Sequence, residues 1–224
     1  MQRTKKKRTY RMAERAKAQD ETRTRIVEAA VHLHEKLGPA STPISAIAER
    51  AGVQRLTVYR HFPDDAALFA ACTSHWGALH PPPDAALWQR IADPTARFAA
   101  AVAAHYAYFS GTKGMWTVAY RDRGQVPAIQ PVLAGFDDHL DAVAQSLATA
   151  FDAKGAAARR LAMTAGHALA FATWSDLDRR GLSDAEKTRL ACAWLEGAHS
   201  FSRSPTGRGA GRAKPGARIG APPR

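Results

Sequence analysis

The stretch TPISAIAERAGVQRLTVYRHFPDDAALF constrains this chain most, because it sets two apolar patterns of helical period on either side of Gly52. Each pattern covers about eight residues. Thr42 is placed to cap free N–H groups, with Pro43 at the first helical position, where a missing N–H costs nothing. Ile44, Ile47 and Ala48 then face inward. Gly52 breaks this helix, a further helix covers about Gln54 to His61, and Phe62 and Pro63 close it. An earlier helix, from about Asp20 to Leu37, brings Ile26, Ala29, Ala30, Leu33 and Leu37 to one face, and Gly38 and Pro39 end it. Two short helices joined by a tight turn and backed by a longer one form a helix-turn-helix.

The rest of the chain keeps the helical period. Asp64 is positioned to cap a fourth helix carrying Leu68, Phe69, Cys72 and Trp76, which Pro81, Pro82 and Pro83 must stop. Further helices are expected at Pro94–Ser110, Met115–Tyr120, Ile129–Phe151, Ala156–Trp174 and Asp184–Phe201. No alternating stretch suggests a strand, so the expected fold class is all-α. A three-helix helix-turn-helix domain over 20–66 would precede a second, larger helical domain over 67–201. The two blocks would share the fourth helix or the linker after it.

Charge is unevenly placed. Of a formal net charge of +12, residues 1–25 carry ten Lys/Arg and three Asp/Glu, and residues 202–224 carry six Lys/Arg and no acid. The body between them is therefore nearly neutral. Residues 1–19 read as a basic flexible arm, or as a stretch whose later part extends the first helix. Residues 202–224, dense in Gly, Pro and Arg, read as a disordered basic tail. Such tails favour phosphate-rich partners.

The helix after Gly52 carries the chemistry. Gln54, Arg55 and Thr57 are the candidates to reach base edges, since Arg matches guanine acceptors, Gln matches adenine, and a Thr methyl meets a thymine methyl. Tyr59 and His61 follow one turn later and suit phosphate, and Arg60 is a further DNA-binding candidate on the same helix. Thr42, at a helix start, suits phosphate as well. Behind them Ile44, Ile47, Ala51, Val53, Val58 and Phe62 can hold the helix down.

The stretch from Arg23 to Leu68, through IVEAAVHLHEKLG, TPISAIAERAGV and TVYRHF, resembles the TetR/AcrR family of bacterial transcriptional regulators. The resemblance implies a homodimer, a pseudo-palindromic double-stranded DNA operator, and a C-terminal domain that binds a small effector. It also implies DNA contacts at Thr42, Thr57, Tyr59 and His61. This sequence departs from the family at three points. Gln54 stands where a Ser cap is usual, Leu56 where a small residue or Pro is common, and Asp65 where a Lys is frequent. Leu56 is open to two readings, contact with a thymine methyl or packing on the body.

Beyond the motif the sequence yields expectations about ligand and assembly. His105 with Phe109, Trp116 with Tyr120, and His167 with Phe171 are each four apart and share helix faces. If these faces converge, they enclose an apolar ligand cavity for an apolar or aromatic effector. Leu161, Ala165, Leu169, Leu190 and Trp194 form stripes suited to a dimer interface, with intrachain packing as the alternative. Cys72 and Cys192 lack CxxC spacing and suit a reducing, cytoplasmic setting. No apolar run is long enough for a membrane span. No metal, no cofactor and no enzymatic activity are expected, since no Gly-rich phosphate loop, GxSxG or HExxH is present. The expected role is a sequence-specific regulator, acting as a repressor whose operator binding an effector modulates. The alternative is an architectural or constitutive DNA-binding protein without an effector.

Overall fold

The computed structural model describes residues 2–201, with side chains from Tyr10 onward. Among these residues the backbone forms α1 (Gln2–Leu37), a 3-10 turn (Pro39–Ser41), α2 (Ile44–Ala51), α3 (Arg55–His61), α4 (Asp65–Leu79) and a short α5 (Ala86–Gln89). There follow α6 (Pro94–Asp122), α7 (Ile129–Thr149), α8 (Gly155–Leu169), α9 (Phe171–Arg179) and α10 (Asp184–Phe201). No strand occurs among the described residues, and the fold is all-α, with an N-terminal helical unit and a C-terminal helical domain. The tail expected over 202–224 lies outside the described residues.

Two apolar clusters organise the chain. In the N-terminal one, Ile26, Ala30, Ile47, Val58, Phe62 and Leu68 are buried together. In the larger one, Phe98, Phe109, Leu133, Leu161 and Trp174 are buried among the helices from α5 onward. The shared element is α4, whose Leu68 and Cys72 belong to the first cluster while Phe69 and Trp76 pack on the second. Asp64 caps α4 as expected, accepting from the Ala67 N–H at 2.7 Å.

Several boundaries differ from the periodicity. The first helix begins at Gln2 rather than near Asp20. Its extension from Tyr10 to Glu21 is exposed. Strong helix formers such as Ala13, Glu14, Ala16 and Lys17 sustain it, with Lys17 and Glu21 3.9 Å apart one turn along. At the other end Leu37 is 46% exposed, so it leaves the inner face.

The break expected between Ser110 and Met115 is absent, and α6 runs through Gly111 and Gly114. Gly114 lies where α6 crosses α1, and a Cβ there would come within 3.2 Å of Glu35. The glycine serves close approach of two helices rather than a turn. Conversely, the stretch expected as one helix over Ala156–Trp174 divides at Ala170, which is extended at φ −65° and ψ 135°. The Tyr106 hydroxyl donates to the Ala168 carbonyl at 2.8 Å and satisfies an acceptor that the break releases.

A buried lysine ties the C-terminal helices together. Lys187 of α10 is 1% exposed, and its Nζ donates to Asp178 of α9 and to Asp184, each at 2.8 Å. Asp178 also accepts from Lys113 of α6 at 2.7 Å, and Asp184 from Ser110 at 2.6 Å and Trp174 Nε1 at 3.1 Å. Burial works against the charge of Lys187, but the two carboxylates outweigh it and raise its pKa.

Candidate nucleic-acid interface and domain junction

The turn between α2 and α3 follows from Gly52, which is left-handed at φ 66° and ψ 37°. The Val53 N–H returns to the Ala48 carbonyl at 2.9 Å, closing α2 in a Schellman arrangement. The start of α2 differs from expectation. Pro43 itself takes the N-cap position, and no side chain caps the helix there. The Thr42 hydroxyl instead donates back to the Gly38 carbonyl at 2.7 Å. Proline fixes φ near the extended entry geometry, so the helix begins without a hydroxyl cap.

Helix α3 is held from one side and open on the other. Val58 and Phe62 are each 1% exposed, and the Arg23 guanidinium of α1 lies 4.5 Å from the Phe62 ring centroid. Gln54, Arg55, Leu56, Tyr59 and Arg60 are exposed, while Thr57 and His61 are half-buried. Leu56 is 62% exposed, so it does not pack on the body. Arg55 Nη2 donates to the Tyr59 hydroxyl at 3.2 Å, one turn along. This pairing pre-orients two long side chains on the outer face before any ligand is met.

A set of polar contacts joins the two helical units at the α1 corner. Gly38 terminates α1 at φ 91° and ψ 152°, a region open in practice only to glycine. Arg121, near the end of α6, donates to the Leu37 carbonyl at 2.7 Å and to Asp122 at 2.6 Å. Asp122, 1% exposed, also accepts from the Ala40 N–H at 3.0 Å. The Arg121 hydrogen bond holds this carboxyl below the usual range despite its burial. Nothing in the local sequence YRDRG marks a tertiary contact. In the structure Arg121 and Asp122 form a latch on the α1 corner.

His34 lies beside this latch at 8% exposure, and burial pushes its pKa down from 6.5 to about 4, against the opposing pull of Asp122. His105 is also lowered by burial. A buried neutral histidine stabilises the fold fully above its unfolded pKa and loses that contribution as acid protonates the unfolded chain. Stability is therefore expected to fall as pH drops from about 6.5 toward 4. Urea melts across this range should show that slope, and His34→Leu should flatten it. An unchanged slope would remove His34 from the account.

The structure brings together four of the six side chains expected to line a ligand site. Phe109 and Phe171 are 5.4 Å apart, Tyr120 stacks on Phe171 at 5.2 Å, and Trp116 stacks on Phe136 at 4.2 Å. These rings pack against one another. His105 lies apart against Trp88 at 5.4 Å, and its Nδ1 bonds the Ala101 carbonyl at 2.7 Å. His167 faces Trp194 of α10 at 5.8 Å. A cavity of about 60 Å³ lies between α1, α4, α6 and α7, and Trp116 is the one expected ligand-site residue in its lining.

Of the residues expected at a dimer interface, Leu161, Ala165 and Leu169 are fully buried within the protomer. Their stripe is used inside the chain, where α8 packs on its neighbours. Leu190 and Trp194 are half-buried on α10, and Met163 of α8 is 74% exposed.

With this geometry in view, the comparisons are specific at one end of the chain. Residues 26–72 match the family model of bacterial regulatory proteins of the tetR family. A TetR-like transcriptional regulator from Rhodococcus sp. RHA1 superposes with a TM-score of 0.59 at 18% identity, covering 78% of this chain and 93% of that one. A second transcriptional regulator from the same source gives 0.58 at 16% identity, covering 80% and 96%. The fold is TetR/AcrR-like. At such identities the TetR-like likeness speaks to fold alone. No curated protein sequence matches the chain. No helix among the described residues is long and apolar enough to cross a membrane.

Proposed function

We propose that this chain is a homodimeric, sequence-specific DNA-binding regulator that represses from a pseudo-palindromic operator and answers to a small effector. The observation that carries this reading is α3. It is a short helix anchored by Val58 and Phe62, with Arg55, Leu56, Tyr59 and Arg60 exposed along its outer face. A major groove admits one helix, and this face holds the donors and acceptors that base edges and phosphates require. In this reading Gln54, Arg55 and Thr57 meet bases, while Tyr59, Arg60 and His61 meet phosphates. Thr42 and the free N–H groups at the start of α2 meet a further phosphate.

Arg55→Ala is expected to lower specific affinity by about 1–3 kcal/mol and to relax one position in each half-site. Fluorescence anisotropy on a selected operator and its single-base variants measures both. An equal loss on every sequence would reassign Arg55 to phosphate.

The dimer would form through the outer faces of α8 and α10. Leu190 and Trp194 share this region with Met163, and an apolar patch on a monomer favours burial against a second copy. Leu161, Ala165 and Leu169 back that face from within. Trp194→Asp is expected to yield monomers by light scattering, and a dimer of unchanged stability would refute this placement.

The effector would bind one of two conformations better and shift the population toward or away from the DNA-binding one. In this reading Phe109, Trp116, Tyr120 and Phe171 form the rigid wall of the effector region, with His105 and His167 at its margins.

A further inference from the structure

The cavity between α1, α4, α6 and α7 differs from the aromatic cluster in what surrounds it. Among the described residues no charged side chain lines it, and its polar groups are His34, Thr73 and the indole N–H groups of Trp76 and Trp116, of which Trp116 Nε1 is buried without a partner. Its walls come from both units, with His34 and Pro39 from the α1 corner, Trp76 from α4, and Met115 and Trp116 from α6. His34 is more than nine-tenths buried, and no other described residue gives its ring a hydrogen bond. Directly behind it, Arg121 and Asp122 grip Leu37 and Ala40.

The cavity is partly open, and its volume is about 60 Å³. A cavity of roughly 150 Å³ is needed to take a benzene ring without adjustment. A single-ring ligand must therefore open this one. Met115 is flexible, and Trp76 is only half-buried, so those walls can give. Pro39 and His34 cannot give without disturbing the corner that Arg121 and Asp122 hold.

We propose that this cavity is a binding site for an uncharged, single-ring compound with one hydrogen-bonding group, and that its occupancy strains the latch between α6 and the α1 corner. His34 is the polar handle. Burial keeps its imidazole neutral, so it offers one donor and one acceptor and no charge. An anionic ligand would meet no free cation, since Arg121 is taken up by Asp122 and Leu37, and would lie near the buried Asp122 carboxylate. A cationic ligand would lose its hydration with no carboxylate in the lining to replace it. The regulatory half of this inference rests on the DNA-binding reading above, and the binding half does not.

Phenol, toluene and benzoate serve as probes on the full chain, read by tryptophan fluorescence, since Trp76 and Trp116 line the cavity. Phenol is expected to bind saturably, toluene more weakly, and benzoate not at all. Ala119→Leu fills the cavity and is expected to weaken phenol by about tenfold or more, while Met115→Ala enlarges it and should strengthen binding. Far-UV circular dichroism confirms that each variant is folded. If Ala119→Leu does not fold, Met115→Ala alone decides. Benzoate binding as tight as phenol, or indifference of phenol to the cavity variants, would overturn the site. Phenol that binds the site without changing operator affinity would overturn the coupling to the latch. Saturable phenol binding by a chain that binds no operator would uphold the site and refute the DNA reading.

Discussion

Alanine in place of Lys187 is expected to destabilise the C-terminal domain by about 3–5 kcal/mol. The ammonium sits at 1% exposure between Asp178 and Asp184, and 4.6 Å from the Trp174 ring centroid. Its removal leaves two carboxylates short of their partner in a desolvated setting, and it deletes a buried stem that packs on an aromatic face. Lys113 still serves Asp178, and Ser110 and Trp174 still serve Asp184, which keeps the loss from being larger. All five tryptophans lie between positions 76 and 194, so urea melts followed by tryptophan fluorescence report on this domain. A loss below about 1 kcal/mol would mean that the pair merely balances its own desolvation.

The second large effect is expected at Gly38. Alanine there must adopt φ 91° and ψ 152°, and its Cβ would stand 2.0 Å from Arg121 Nη2 and 2.3 Å from Asp122 Oδ2. Backbone strain alone costs about 1–3 kcal/mol. The clash adds to it by displacing the latch. A double-mutant cycle separates the two contributions. In an Arg121→Ala background the penalty of Gly38→Ala should shrink, because the nearest clashing atom is gone, but should not vanish, because φ remains positive. An identical penalty in both backgrounds would show that the Gly38–Arg121 contact contributes nothing.

Local chemistry made the N-terminal unit readable. Gly52, Pro43 and Asp64 are punctuation marks whose consequences act within a few residues. The inward positions of α2 and α3 follow from period alone, and Ile47, Ala51, Val58 and Phe62 are buried as that period requires. The cap assigned to Thr42 fails because proline already supplies the geometry for which a hydroxyl is usually needed.

In the C-terminal domain the differences share one cause, namely partners distant in sequence. Gly111 and Gly114 look like a helix break until α1 is seen crossing at Gly114. The run AGHALAFATW holds good helix formers, so the break at Ala170 depends on packing and on Tyr106, whose hydroxyl reaches a carbonyl 62 positions away. Nothing in the sequence around Lys187 announces Asp178 or the ring of Trp174 as its partners. The Arg121–Asp122 latch is hidden for the same reason, since its partners lie 82 and 84 positions upstream. The start of α10, by contrast, does carry a local signal. Ser183 and Glu186 form a capping box for that helix, with Glu186 accepting from the Ser183 N–H at 2.9 Å. The aromatic residues show a further limit. Four-residue spacing places rings on a common face, but it does not say whether that face encloses a space or fills one.

Under the proposed function, α3 of two copies reads a two-fold symmetric DNA site. Selection of bound duplexes from a random pool, with the purified full chain, tests it most directly. The expected result is enrichment of an inverted repeat whose half-sites lie about 10 base pairs apart, centre to centre, or a multiple of that, with a guanine preference in each half-site that Arg55→Ala abolishes. Recovery of no preferred sequence, or of one that lacks two-fold symmetry, would contradict it.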